Sequence, residues 1–298
     1  MKKMLFVFNP NSGKGQIKNV LLSIITTFSD AGYELTVYPT KGVSDAYNFI
    51  RENEGKYDMI VCSGGDGTLN ETTSAVMSFS SERPPIGYIP SGTTNDYAVS
   101  LGIPRNMKKA AEHIMTGYEK SLDVGLFNGR PFNYIAAFGA FTAVSYETPQ
   151  TMKNKLGHQA YVLEAMRSLS RIPAIRMTVQ HDDVEINDEF AYGMISNSKS
   201  VGGLHGLIGQ SVKLSDGLFE VTLVRKPKNP IELQQLVSAF LARSFENCDM
   251  IYSFKAAKLS IATEDNISWT LDGEFGGEHR RVEFEVIPSA IRMMVKKQ

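Results

Sequence analysis

Cysteine is scarce: the 298 residues hold two, Cys62 and Cys248. That argues against a disulfide framework and fits a reducing compartment. No two cysteines or histidines stand at ligand spacing, which argues against zinc. Net charge is −1, so no overall field draws the chain to nucleic acid or to an anionic membrane. No apolar run reaches the ~20 residues of a membrane span. The apolar run behind Met1-Lys2-Lys3 is too short for a signal-peptide core. The expectation is a cytoplasmic protein with no nucleic-acid partner.

What is present reads first as an α/β pattern. Strands are expected at 4–8, 34–38, 59–62 and 86–89. Helices are expected from Ile17 to about Ala31, over Ser44–Glu54, from Asn70 to about Phe79, over Asp96–Leu101 and over Met107–Thr116. Strict alternation of this kind predicts a doubly wound, Rossmann-like parallel sheet over residues 1–125.

The texture then changes. Period-two patterns at Ser121–Phe127, Phe132–Phe138, Ile175–Gln180, Glu189–Ser196, Leu218–Val224, Lys258–Ala262, Ile267–Leu271 and Arg281–Val286 predict an antiparallel β-sandwich over 126–287. Helices are expected around His158–Ser170 and Ile231–Arg243. The apolar tail 288–298 is strand-like and a candidate to return to the first domain.

The most informative stretch is Gly64-Gly65-Asp66-Gly67-Thr68, followed by Leu69-Asn70-Glu71, directly behind a buried-type strand. Its glycines permit a sharp turn and close approach of a ligand. Asp66 and Thr68 bring a carboxylate and a hydroxyl to a helix start, which suits a polyphosphate with magnesium. Two further loops follow strands and open helices: residues 9–15, with Asn9, Ser12, Gly13 and Lys14, and residues 90–96, with Thr93 and Asn95. In an open α/β sheet these strand ends share one edge, where helix N-termini favour phosphate. A Walker A loop does not fit, because Phe8 and Gly15 occupy its required glycine and hydroxyl positions. The dinucleotide pattern Gly-x-Gly-x-x-Gly fails on spacing as well.

Four blocks stand in order: Asn9-Pro10-x-Ser12-Gly13, Gly64-Gly65-Asp66-Gly67-Thr68, Gly92-Thr93-x-Asn95-Asp96 and Leu271-Asp272-Gly273-Glu274. Together they resemble the diacylglycerol kinase catalytic-domain family, lipid kinases that include sphingosine and ceramide kinases. NAD kinases and phosphofructokinases share the second block alone. The resemblance spans nearly the whole chain. It implies a nucleotide-binding α/β domain and a β-sandwich lipid-substrate domain with a cleft between them, ATP as phosphoryl donor and Mg2+ as cofactor. It implies that Gly64, Gly65, Asp66, Gly67, Thr68, Leu69 and Asn70 hold the ATP phosphates, with Asp66 serving the magnesium. Thr40 and Thr93 match further nucleotide contacts. Glu274 matches the proton acceptor, with Asp272 beside it. A structural magnesium is implied at Asp216 with the backbone carbonyls of Lys213 and Leu218; the approach Gly209-Gln210-Ser211-Val212 departs from the family pattern.

Asp96 and Asp123 are candidates for a water-linked carboxylate network around magnesium, or equally a helix cap and a satisfied strand residue. Asp272-Gly273 taken alone is a hairpin turn. The basic run Arg225-Lys226-Pro227-Lys228 reads as a solvated loop before it reads as a headgroup site. Met152–Arg171 reads as a helix packed on the sandwich rather than a membrane-facing one. The implied activity is transfer of a phosphoryl group to diacylglycerol or another membrane lipid during transient peripheral contact. A NAD kinase-like enzyme and a kinase-dead nucleotide- and lipid-binding regulator are the alternatives. An exposed sandwich edge suits a homodimer.

Overall fold

A computed structural model of the chain describes residues 1–139, 173–198, 200, 201, 204, 205, 212–242, 245 and 248–296. The expected helix at His158–Ser170 and the approach Gly209–Ser211 lie outside the described residues.

The first half builds a parallel sheet from β1 (Lys2–Phe8), β2 (Tyr33–Pro39), β3 (Met59–Gly64) and β4 (Ile86–Pro90), in spatial order β4-β3-β1-β2. Every residue of β3 and β4, and Met4–Phe8 of β1, is buried. Such uninterrupted apolar runs are what a sheet covered on both faces requires. A 3-10 segment (Ser12–Asn19) and the helices α1 (Leu21–Asp30), α2 (Asp45–Glu52), α3 (Asp66–Met77), α4 (Asp96–Ser100) and α5 (Met107–Thr116) fill the connections. Helix α1 packs with α5, and α2 with α3.

Two helix starts differ from expectation by a full turn. The first helix starts at Leu21, because Gly13, Lys14 and Gly15 all take left-handed φ angles of 55°, 64° and 68° and hold the preceding segment out of α geometry. Helix α3 starts at Asp66 rather than Asn70, so Asp66, Gly67 and Thr68 form its first turn. Its place directly behind the buried strand β3, at the sheet edge, offsets the unfavourable glycine in that turn.

The second half is antiparallel: β5 (Tyr118–Phe127), β6 (Arg130–Phe132), β7 (Ile135–Gly139), β8 (Ile175–His181), β9 (Val184–Ser196), β10 (Ser200–Val201), β11 (Leu204–His205), β12 (Phe219–Arg225), helix α6 (Pro230–Ala242), β13 (Ile251–Ala256), β14 (Lys258–Leu271) and β15 (Glu274–Val295). The expected strand Phe132–Phe138 is two strands, interrupted where Asn133 and Tyr134 turn their amides to Asp272. Phe127, Phe132, Phe138, Phe284 and fully buried Trp269 fill the core of this half with ring centroids mostly 5–6 Å apart.

Strand β15 joins the halves. It pairs with β14 at its start, with β5 along its length, and in parallel with β4 at Met293↔Ile86. Arg281–Val286 and Ala290–Val295 are therefore one strand. Pro288 is absorbed by a register shift between Ile287 and Ile291, where Ser289 takes a φ of 50°. The N–H of Ser289 is not left over: it donates to Asp123 Oδ1 at 2.8 Å.

Candidate active site

The ends of β1, β3 and β4 lie side by side, and backbone bonds tie the loops that leave them. Asn9 N–H donates to Ser63 O (2.8 Å), and Ser91 N–H to Gly64 O (2.9 Å). The glycines are where two loops touch. A Cβ on Gly13 would collide with the Ser91 carbonyl, and a Cβ on Gly92 would sit 2.6 Å from the Cα of Gly65. Asn95 locks the third loop from within: buried, with φ 54°, it accepts from Gly92 N–H (3.0 Å) and the Tyr88 hydroxyl (3.2 Å) and donates to Gly92 O (2.7 Å). Asn9 does the same for the first, its Oδ1 accepting from Asn11 N–H at 2.9 Å. Leu69 is fully buried, which leaves only its backbone for a ligand. Lys14 and Thr93 are exposed at the rim, and Thr40 is buried at the end of β2.

No side chain caps the N-terminus of α3. Its first-turn amides and positive dipole end are the element of this edge suited to phosphate. Beside them stands Asp66, whose Oδ1 is buried without a hydrogen-bond partner. Burial, then the negative charges of Asp96 and Asp272, push its carboxyl up to about 7, although the backbone N–H groups of Tyr97 and Asp96 pull the other way. An orphaned buried oxygen among like charges is the environment a cation relieves. Among the described residues no three His, Cys, Asp or Glu side chains converge to ligate one ion by themselves. One carboxylate with waters and phosphate oxygens is the way magnesium is commonly held.

The hairpin between β14 and β15 crosses to this edge from the other half. Asp272 is 4% exposed, so it is not the surface turn its Asp-Gly dipeptide suggests. Its carboxylate accepts from Asn133 N–H (2.7 Å), Tyr134 N–H (2.9 Å), Ile135 N–H (3.2 Å), Asn133 Nδ2 (3.3 Å) and Asn70 Nδ2 (2.8 Å). Burial still raises its carboxyl above the ordinary range, against the lowering effect of those donors. With every lone pair engaged, Asp272 is built to hold the hairpin. Glu274, two residues on, is exposed, and its Oε1 lies over Gly67 so closely that a Cβ there would strike it. Thus Gly67 leaves room for a carboxylate against the first turn of α3.

Several residues at this junction escaped the sequence reading. Tyr88, Tyr97 and Tyr134 are buried around Asp66 and Asp272, and burial with those negative charges raises all three phenols. Glu71 caps α2, accepting from Ser44 N–H (2.8 Å), Ala46 N–H (3.1 Å) and Tyr47 N–H (3.4 Å). No local pattern announces these contacts, although Tyr97 stands beside Asp96 and Glu71 beside Asn70.

Other expected residues lie elsewhere. Asp123 accepts from Gly217 N–H (2.7 Å) and Ser289 N–H (2.8 Å), so both oxygens clamp backbone. It thereby anchors the loop Lys213–Leu218, where Asp216 Oδ1 is buried without a partner and Oδ2 lies 3.1 Å from Lys255 Nζ. In the basic run, Arg225 pairs with Asp188 (2.7 Å) and Lys228 with Glu189 (3.4 Å), which cancels much of its charge. Among the described residues no helix is long and apolar enough to cross a membrane.

Comparison with known proteins agrees with this arrangement. Residues 3–127 match the diacylglycerol kinase catalytic domain, and residues 136–295 match the YegS C-terminal NAD kinase beta sandwich-like domain. The diacylglycerol kinase of Bacillus subtilis is 33% identical over 279 residues, covering 93% of this chain and 91% of that protein. That of Staphylococcus epidermidis is also 33% identical, covering 93% and 87%. A crystal structure of a Bacillus anthracis protein assigned to the diacylglycerol kinases superposes with a TM-score of 0.84 at 28% identity, covering 99% of this chain and 95% of that one. The chain is an enzyme of the diacylglycerol kinase family, with an α/β catalytic domain followed by a β-sandwich domain.

Proposed function

We propose that this protein transfers the γ-phosphoryl group of ATP to the hydroxyl of a membrane lipid, diacylglycerol first among them, to give phosphatidic acid and ADP. The observation that carries the reading is the junction itself. An orphaned, buried Asp66 oxygen and an uncapped helix start lie on one side, and an exposed Glu274 carboxylate reaches over Gly67 from the other.

The residues divide the work. Amides of Gly64–Thr68 and the Lys14 ammonium would hold the phosphates, with Asn9 and Asn95 fixing the loops that present them. Asp66 would hold Mg2+, which when bound would neutralise phosphate charge. Phosphoryl transfer depends chiefly on such alignment and charge compensation. As the lipid oxygen bonds to the γ-phosphorus and the bond to ADP breaks, Glu274 would take the hydroxyl proton. Asp272, with its lone pairs engaged by donors, would position that hairpin rather than act as base. Asp216 and the carbonyls of Lys213 and Leu218 would hold a second, structural magnesium.

Diacylglycerol resides in a bilayer, so a chain acting on it works at the membrane surface in passing contact from the cytoplasm. The outermost strand of the sandwich side, β13, offers an edge for a second copy. The test is radiolabelled ATP with diacylglycerol, phosphatidylglycerol and sphingosine in mixed micelles, and NAD as a separate acceptor. Labelled lipid supports the reading. Label on NAD alone replaces it with a NAD kinase, and ATP binding without any transfer replaces it with a regulator.

A further inference from the structure

The second-domain loop that carries Asp216 already contains a positive charge. Glu220 in β12 stands directly opposite Lys255 in β13. The Lys255 ammonium lies 3.1 Å from Glu220 Oε1 and 3.1 Å from Asp216 Oδ2, bridging the two carboxylates. The strand pairing fixes this placement, because a two-residue periodicity forbids Lys255 from turning to the other face. Two acceptors remain. Asp216 Oδ1 and Glu220 Oε2 are buried without a partner, Glu220 Oε1 has the ion pair with Lys255 but no hydrogen bond, and Glu220 as a whole is 9% exposed. The loop is otherwise rigid: Gly217 takes a φ of 74°, its N–H is held by Asp123, and the Leu214 carbonyl accepts from Asp123 N–H at 3.0 Å. Two carboxylates thus share one ammonium in a fixed frame, with a net negative charge and two idle oxygens.

We propose that Lys255 is a tethered cation that occupies the Asp216–Glu220 pair, so that a divalent ion gains the loop only by displacing its ammonium. Lys255 holds the loop when magnesium is scarce and sets how much magnesium is needed to replace it. The reverse arrangement, in which a neighbouring ammonium merely orients a ligand, requires the carboxylate to keep its second oxygen for the metal while Lys255 stays. The two differ in sign. Displacement means that removing Lys255 strengthens cation binding, since repulsion is lost and a second carboxylate is freed. Orientation means that removal weakens it.

The experiment follows thermal unfolding in EDTA and in excess magnesium, with all variants built on Asp66→Asn to silence the first-domain carboxylates. The readout is unfolding, so the result is independent of which lipid accepts phosphate. With Lys255 present, the unfolding temperature is expected to rise only modestly with magnesium, because each ion bound gives up the contacts of the displaced ammonium. Lys255→Met should unfold at a clearly lower temperature in EDTA, recover in magnesium, and bind the ion about tenfold or more tightly by calorimetry. Adding Asp216→Asn should abolish that recovery. Should Lys255→Met fail to fold, Lys255→Met with Glu220→Gln restores the net charge of the trio and, with repulsion gone but only Asp216 left as carboxylate, should still bind magnesium more tightly than the Lys255 protein, by a smaller factor. A magnesium response no greater than that of the Lys255 protein, a weaker affinity, or a response that survives Asp216→Asn overturns the proposal.

Discussion

Asn70 of the catalytic domain donates its side-chain amide to Asp272 of the sandwich at 2.8 Å, across 202 residues of sequence. The bond fastens helix α3 to the hairpin that carries Glu274, so the two sides of the site have one geometry. Asn70→Leu removes a charge-assisted bond and is expected to lower stability by about 1–3 kcal/mol. Asp272→Asn sets a donor against donors and should lose about 2–4 kcal/mol. Urea unfolding checks both; unchanged midpoints would show that this junction does not hold the domains.

Glu274 makes the opposite forecast. It is exposed, so Glu274→Gln should leave the unfolding temperature within experimental scatter while turnover falls about 10²–10⁴-fold. Steady-state kinetics beside a thermal melt separate it from Asp272, whose substitution should move both.

The Asp66 carboxyl, raised from 3.8 to about 7, gives a pH dependence whose sign is fixed. Well below pH 3.8 both folded and unfolded states are protonated and the shift has no effect. As pH rises from 4 to 7 the unfolded state ionises first, so the metal-free protein loses stability, on the order of 4 kcal/mol if Asp66 acts alone. Asp66→Asn should flatten that slope, and magnesium, which favours the ionised form, should oppose it. At limiting magnesium, turnover should rise toward pH 7 as the cation-binding form appears, and saturating magnesium should move that rise to lower pH. Urea midpoints across pH for both proteins, in EDTA, decide the point; equal slopes contradict it.

Gly13 has a φ of 55°, and a Cβ there would meet the Ser91 carbonyl. Gly13→Ala is expected to cost at least about 2 kcal/mol and to weaken ATP binding, because the first and third loops can no longer close on each other. Calorimetric titration with ATP reads the second effect.

Legibility followed range along the chain. The block Gly64–Thr68 declared itself because strand, glycine turn and helix are contiguous there. Even so, the expected start at Asn70 lies four residues late, because glycine propensity argues against a helix whose first turn is held by its position at the sheet edge. Strand β15 was read as two, since Pro288 normally ends a ladder, and only a distant Asp123 carboxylate makes the bulge affordable. Strand β13 is absent from the expected strands, although Tyr252, Phe254 and Ala256 alternate with Ser253 and Lys255 as in a half-buried strand. Asp272 was legible as a motif residue but not as a buried anchor. Its donors come from residues 70 and 133–135, and no local pattern records such pairings. The same holds for the bridge from Lys255 to Asp216 and Glu220.

The proposed reaction makes Asp66, in the first turn of helix α3, and Glu274, whose carboxylate lies over Gly67 of that turn, the pair that moves phosphate from ATP to a lipid hydroxyl. Its most direct test is radiolabelled ATP with diacylglycerol micelles and magnesium, run with the wild type and with Glu274→Gln. The account predicts labelled phosphatidic acid from the wild type and almost none from the variant, at near-equal ATP affinity. Labelled lipid at equal rates from both, or no labelled lipid from either, would contradict it.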